Sequence, residues 1–356
     1  MVHLLDTPAQ TASSPLTVLQ LAGSAESEFF RDLSLLYARD VIVPDGVTSI
    51  WAVVEPGDPS KGHSGGMWRF GRSLDRLGAP LAVGDALMAM PDADLVVPHM
   101  FCPSGMSSYR ALFEDILGIP VVGSPACVTS VCTDKAKTRA IVAAAGLHVP
   151  EGRLLRWGDA LPDMACPLIV KPNSTDNSVG LSLVRERAQL PAALEAAFAH
   201  DREVLVEAFI PGREIRMCVI DGPDGLFVPA MMEYPMSAES PIREVADKLD
   251  TDAGGRVLSQ TTKPGAAAIC PADLEAPLRE ALTHAAITAH KALGARHYSL
   301  YDFRVHEDTD TPYFLEAGLF WAFSRISMIS RMLDADGADV PATIDVLWRR
   351  AGRVPA

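Results

Sequence analysis

The chain has little that would tie it to a membrane, to nucleic acid or to the cell exterior. Over 356 residues its apolar runs stay far short of the roughly 20 residues that a membrane span needs. The N-terminal stretch MVHLLDTPAQTASSPLTVLQLAG has neither the basic start nor the long apolar core of a signal peptide, and residues 1 to about 15 read as a loose tail. No Lys/Arg-rich run occurs, and the net charge is −14. Nucleic-acid affinity rests on clustered cations, so a phosphate-backbone binder is excluded, though one small phosphorylated ligand held by two or three lysines is not. Six cysteines are scattered with no CxxC and no paired zinc spacing, as expected of reduced thiols in a cytoplasmic protein. There is no internal repeat and no low-complexity tract.

What is present is an ordinary globular composition, with 48% apolar and 21% charged residues, arranged as strands alternating with helices. LTVLQLAG (16–23) reads as a strand, ESEFFRDLSLLYARD as an amphipathic helix and DLVVPHM (94–100) as a buried strand, while GDPSKGHSGGMW (57–68) reads as a loop. That alternation predicts a mostly parallel, doubly wound α/β sheet. A helix in TDKAKTRAIVAAAG runs from Thr133 as N-cap to Gly146 as stop. A strand (CPLIVKP), a polar loop (NSTDNSVG), a second strand (LSLV) and a helix (PAALEAAFAH) follow. VLVEAFIPGREIRMCVI reads as two strands around a Pro-Gly turn. An irregular stretch covers 233–268, then comes a long helix ending at Gly294, the hairpin YSLYDFRV-HEDTDT-PYFLEAG and terminal helices. Boundaries near 122 and 206 divide the chain into 1–122, 123–206 and 207–356.

The hairpin carries the strongest chemical signal. Tyr301, Phe303 and Val305 alternate with Leu300, Asp302 and Arg304, so Asp302 faces away from one core. The turn centres on Thr309, seven residues from both Asp302 and Glu316. A symmetric register sets the two carboxylates opposite each other, where like charges destabilise a sheet unless a divalent, oxygen-seeking cation lies between them. A slipped register would leave two solvated acids instead. Lys171 closes the apolar strand beside a loop rich in backbone donors, which suits a phosphate as well as it suits a snorkelling side chain. Lys135 lies in the first turn of its helix, where the dipole disfavours a cation unless an anion is near. Glu207 and Glu214 flank the Pro-Gly turn; surface acids are the plain alternative.

The segments GSAESE (23–28), GIPVVGSP (118–125), TDKAKTR (133–139), PLIVKPNSTDNSVGLSLV (167–184), VLVEAFIPGREI (204–215), REVADKL (243–249), CPADL (270–274), YDFRV and FLEAG resemble, in order and spacing, an ATP-grasp ligase of the D-alanine–D-alanine ligase type. They cover nearly the whole chain. The resemblance implies a three-domain ATP-grasp fold: an N-terminal doubly wound α/β domain and two α+β subdomains clasping ATP. It also implies a homodimer and amino-acid substrates, with Mg²⁺ as cofactor and Mn²⁺ as a substitute. Position by position, Lys135 and Lys171 match lysines on the ATP phosphates. Ala208 to Ile210 resemble the adenine hinge, with Glu207 beside it, and Glu214 matches the ribose acid. Ser178 goes with the ATP-binding set. Asp302 and Glu316 match magnesium ligands, and Lys248 a mobile-loop lysine over the γ-phosphate. Glu26, Asn177 and Ser327 fall at substrate-binding positions.

The departures from the family pattern cluster on the acceptor side. The usual Arg two residues before the hairpin aspartate is Leu300, and the usual metal-binding Asn two residues after the glutamate is Gly318. Leu249 replaces a tyrosine, and Asn177 a serine. His99 is only a faint echo of the family's N-terminal loop, and a structural role is expected of it. An oxyanion donor is worth on the order of 3 kcal/mol, so a replacement cation is needed. Arg304 and Arg325 are the candidates, with Arg325 preferred for its proximity to Ser327. The expected activity is ADP-forming ligation of a carboxylate to an amine through an acyl phosphate, in a specialised pathway. An authentic D-alanine–D-alanine ligase and a non-catalytic ATP-binding module are the alternatives. Phe320, Trp321 and Phe323 read either as an apolar acceptor wall or as core.

Overall fold

Three sheets and one short hairpin organise the residues described in the computed structural model, which are 15–175, 178–237, 240–243, 249–251, 257–260 and 267–352. The first sheet contains β1 (Leu16–Gly23), β2 (Val47–Glu55), β3 (Met67–Gly71), β4 (Leu81–Ala82) and β5 (Leu95–Pro98), in the order β4-β3-β2-β1-β5. The helix α1 (Glu28–Ala38) follows β1, and α2 (Val83–Met88) follows β4. β1 runs parallel to β2 and β5, as the alternation predicts, but β3 and β4 join antiparallel. The stretch expected to be loop up to Trp68 thus ends inside a strand. Trp68 is the reason: it is fully buried, with its indole N–H donating to Gly65 O at 2.9 Å. Burying so large a ring anchors the returning chain against the sheet.

Two short helices, α3 (Pro103–Met106) and α4 (Ser108–Ala111), lead to α5 (Ala126–Cys132) and α6 (Lys135–Ala144). The N-cap of α6 is Asp134 rather than Thr133: the Asp134 carboxylate accepts from Lys137 N at 3.0 Å, while the Thr133 hydroxyl turns back to Ser130 O. A carboxylate caps a helix dipole better than a hydroxyl, which explains the one-residue difference.

The second sheet is wholly antiparallel, in the order β6-β9-β7-β8, from β6 (Gly152–Arg156), β7 (Leu168–Pro172), β8 (Ser182–Val184) and β9 (Glu203–Ala208). Its helix α7 (Leu190–Phe198) covers one face, where Leu168, Val170, Val204 and Val206 form a core of its own. Strand alternation turns Ile169, Lys171 and Glu207 to the other face.

The third sheet is built on β10 (Gly212–Gly222), with β11 (Gly225–Phe227) and β12 (Met232–Tyr234) beside it. A separate hairpin, β13 (Leu249–Thr251) with β14 (Val257–Gln260), lies in the stretch expected to be irregular. After α8 (Ala276–Leu293) come β15 (Tyr298–His306) and β16 (Pro312–Gly318), then α9 (Met328–Ala335) and α10 (Val340–Ala351). β15 is central, antiparallel to β10 on one side and β16 on the other. Ile215, Met217, Val219, Tyr301, Phe303 and Val305 pack against α8. Cys132 of α5 and Val142 of α6 join that same cluster, so these helices cover the third sheet and not the second.

A further core joins the first and third sheets. Leu16, Val18, Leu95 and Val97 pack with Cys218, Leu300, Trp321, Phe323 and Trp348. His99, at the end of β5, sits inside this junction. Its ring is fully buried, stacks on Trp51, and reaches Ala322 O through Nδ1 at 3.0 Å and Gln20 Oε1 through Nε2 at 2.7 Å. Among the described residues no helix is long and apolar enough to cross a membrane.

Burial fixes the protonation of three histidines. It depresses His99 and His290 to about 4 and His297 to about 3, with Arg296, Arg350 and Arg110 assisting at His297. Each folded-state value lies below the unfolded value of about 6.5, so the unfolded chain takes up more protons on acidification. Their contribution is therefore intact above about pH 6.5 and is lost as the pH falls toward 4 and then 3. Unfolding free energies from urea titration should be level above about pH 6.5 and fall between there and pH 4, at up to about 1.4 kcal/mol per pH unit for each histidine.

Candidate functional site

The clearest concavity lies where the bare face of the second sheet meets the third sheet. It is lined by Lys135, Lys171, Ser178, Ala208, Phe209, Ile210, Glu214, Arg243, Asp302, Arg304 and Glu316 among others. An apolar wall of Ala208, Phe209 and Ile210 facing converging charged side chains suits a small, charged ligand.

On the second sheet, Lys171 and Glu207 form the polar wall. Glu207 is 2% exposed and holds two cations, Lys171 Nζ at 2.7 Å and Arg139 at 2.7 Å. Arg139 also donates to Pro150 O, so α6 is tied to the sheet through this carboxylate. The triad presents the lysine ammonium to the cleft with one negative charge behind it. Glu207→Gln removes the counter-charge of two buried cations and should destabilise the fold by about 3–5 kcal/mol, read from chemical denaturation.

Lys135 is placed by the same segment. Asn173 follows β7 and accepts from the first two amides of α6: Lys135 N donates to Asn173 O at 3.2 Å, Ala136 N to Asn173 Oδ1 at 2.9 Å. The Lys135 ammonium then donates to Thr175 O and stands 3.8 Å from Glu316 Oε2. A lysine in the first turn is unfavourable to its own helix, and this neighbouring carboxylate accounts for its position.

The connection from β9 to β10 forms the back of the cleft. Ala208 N donates to Glu151 O and Phe209 N to Pro167 O, which pins the segment to its neighbours. Gly212 follows at φ +121°, where an added Cβ would lie 2.1 Å from Val305 O, so the close approach to β15 requires glycine. Glu214 comes next, between the guanidinium groups of Arg243 at 3.6 Å and Arg304 at 3.7 Å. Arg304 donates to Pro241 O and Gly212 O and lies over the Phe209 ring.

The register of the third sheet arranges its cleft face in rows. Glu214 pairs with Arg304, Arg216 with Asp302, and Cys218 with Leu300 across β10 and β15. Across β15 and β16, Asp302 pairs with Glu316 and Leu300 with Gly318. The opposed carboxylates predicted from the turn are therefore present. A register shift between Asp302 and Phe303 compensates for the turn, since Phe303 faces Phe314 and Leu315 is the extra residue. Asp302 is also held by a residue that no motif picked out. Arg216 donates to both its oxygens, through Nε and an NH2 group, each at 2.5 Å. Burial works against the Arg216 charge, but Asp302, with Tyr234 and Glu316, outweighs it and holds the group well above its ordinary value. The signal was there in GREIRMCVI, where Arg216 shares the face of Glu214 on a strand whose other face is apolar.

Not every expected residue reaches the cleft. Ser327 is the N-cap of α9, and its hydroxyl is bound to Trp321 Nε1 and Ser330. Arg325 points outward, with its side chain 72% exposed beside Asp40 at 3.4 Å. Glu26 accepts from Ser104 N at 2.6 Å on the first sheet's side. Asn177 and Lys248 lie outside the described residues. Trp321 and Phe323 belong to the shared core, whereas Phe320 stays partly exposed and meets Phe101 edge-on at 5.1 Å. Leu300 and Gly318 are cross-strand partners, and the Phe320 ring lies 3.5 Å from where a Gly318 Cβ would be. The two departures are therefore one apolar contact.

Among the described residues no group of three His, Cys, Asp or Glu side chains forms a metal cage. Two opposed carboxylates at the cleft do fit a hard cation such as Mg²⁺, which keeps several waters and binds through one or two carboxylates plus phosphates.

Comparison with known proteins bears on this geometry. The family described as D-ala D-ala ligase C-terminus matches residues 159–348. The D-alanine–D-alanine ligase of Sodalis glossinidius (strain morsitans) is 36% identical over 276 residues, covering 74% of this chain and 71% of that protein. In fold, the chain is similar to the VanG D-Ala:D-Ser ligase from Enterococcus faecalis, with a TM-score of 0.73 at 22% identity over 94% of this chain and 99% of the other. It is likewise similar to the D-alanine–D-alanine ligase from Bacillus anthracis complexed with ATP, with a TM-score of 0.68 at 19% identity over 95% and 97%.

Proposed function

The chain belongs to the D-alanine–D-alanine ligase family, and we propose that it is an ATP-dependent, ADP-forming ligase that joins D-alanine to a second D-alanine or to a similarly small amino acid. The observation that carries this reading is one cleft holding two lysines, two opposed carboxylates and a third carboxylate set between arginines. The relatives shift the balance away from a specialised pathway and toward the authentic ligase, because they are D-alanine–D-alanine and D-Ala:D-Ser enzymes. The six cysteines are free thiols, which suits the reducing cytoplasm.

In this reading Ala208 to Ile210 line the adenine end, and Glu214 receives the ribose hydroxyls. Lys135 and Lys171 face the phosphates as point charges. Asp302 and Glu316 would hold Mg²⁺, which when bound neutralises charge on the phosphates. The first amino acid's carboxylate takes the γ-phosphoryl group as ADP leaves, and the amine of the second then displaces phosphate to close the amide. Phosphoryl transfer demands positioning and charge neutralisation more than covalent chemistry, and the two lysines supply the fixed part of both.

The test is ADP release with ATP and Mg²⁺ on D-alanine alone and on D-alanine paired with other D- and L-amino acids, with products identified by mass spectrometry. A dipeptide with D-alanine at its first position is expected, and Lys171→Ala should lower turnover by about 100-fold or more. Release only with L-amino acids would restore the broader amino-acid ligase reading. Nucleotide binding with no release on any pair would favour a non-catalytic module.

A further inference from the structure

Resting on the ligase reading above, we infer that Arg216 is a resident counter-cation of the reaction centre, standing on Asp302 so that this carboxylate reaches the cleft already neutralised. Asp302 lines the cleft, while Arg216 stands behind it on the neighbouring strand with its side chain 16% exposed. The contact is the fork-on-fork pairing of guanidinium with carboxylate, the strongest geometry available to that pair.

Arg216 is also fixed from its far side. Its guanidinium lies 5.3 Å from the Tyr234 ring centre, and Arg243 stacks on the same ring at 3.4 Å. Arg243 in turn faces Glu214. The wall therefore runs from Glu214 through Arg243 and Arg216 to Asp302, with two guanidinium groups on one aromatic ring between the two carboxylates. A guanidinium held this way is not a surface arm that swings aside.

The neighbouring rows explain why this position matters. In the next row Leu300 faces Cys218 and Gly318, so it offers no charge. In the preceding row Arg304 is engaged with Glu214, Gly212 and Pro241. Arg325 is turned to solvent. Among the described residues, Arg216 is the guanidinium that shares a row with Asp302 and Glu316. Arg216 acts through Asp302 and is a positioning residue. It sets how strongly that carboxylate attracts a divalent cation, because like charges a few ångströms apart repel in a partly buried site.

Metal uptake separates this role from a merely structural one. Free Mn²⁺ is followed by electron paramagnetic resonance during titration of the full chain, with and without a non-hydrolysable ATP analogue. Without nucleotide the wild type should bind Mn²⁺ weakly, Arg216→Met about tenfold or more tightly, and Arg216→Lys near the wild-type level. With the analogue, the wild type should hold fewer Mn²⁺ ions per chain than Arg216→Met. Equal Mn²⁺ affinity and count in wild type and Arg216→Met would overturn the inference. If Arg216→Met does not fold, the wild type decides alone: Mn²⁺ binding without nucleotide as tight as with it would also overturn the inference. Failure of the analogue to bind the wild type at all would sink the ligase reading and this inference with it; analogue binding with metal uptake indifferent to Arg216 would sink the inference only.

Discussion

A strand buried on both faces cannot slip, and the site depends on that. In β15 the side chains of Tyr301, Phe303 and Val305 are sealed beneath α8. A shift of one residue would drive Asp302 and Arg304 into that apolar layer, at a cost of several kcal/mol for each unpaired charge. The register is thus imposed by hydrophobic burial on the side away from the chemistry. Everything in the cleft inherits its position from it: the row of Arg216, Asp302 and Glu316, the row of Glu214 and Arg304, and the apolar row of Leu300 and Gly318.

The same logic governs the second sheet. Leu168, Val170, Val204 and Val206 fill one side, and the residues between them have only the cleft to face. A lysine and a glutamate there are tolerable because they are bonded to each other and to Arg139. Buried ion pairs add little net stability over apolar packing. Their service here is geometric, since a lysine held by a carboxylate presents its charge at one point.

How much of this could be read from the sequence depended on distance along the chain. The facing of Asp302 and Glu316 is local, fixed by a hairpin turn, and it was legible, although the extra residue at Leu315 was not. The lysines were legible as members of ordered motifs. Arg216 left a local mark as a charged residue on the face of Glu214, but its pairing with Asp302 was not legible, because that partner lies 86 positions away. Ser327 and Arg325 lie away from the cleft for a different reason. Spacing from Glu316 extrapolates a straight path, whereas the chain turns through Phe323 at φ +53° and sends both side chains elsewhere. The aromatic run divided along the same turn, with Trp321 and Phe323 inside the shared core and Phe320 left at its edge.

The cores also divide the molecule mechanically. Trp321, Phe323 and Trp348 belong to a cluster that includes Leu16, Val18, Leu95 and Val97, and Ile42 N donates to Phe323 O at 2.7 Å across the same junction. The first and third sheets are therefore one body, which no hinge can separate without exposing tryptophan. The second sheet keeps its own sealed core and is tied to α6 by the Arg139–Glu207 ion pair and by the hydrogen bond from Lys135 N to Asn173 O. Of the two walls of the cleft, one belongs to the larger body and the other to a smaller unit with a core of its own, so a tilt of that unit would leave both cores sealed.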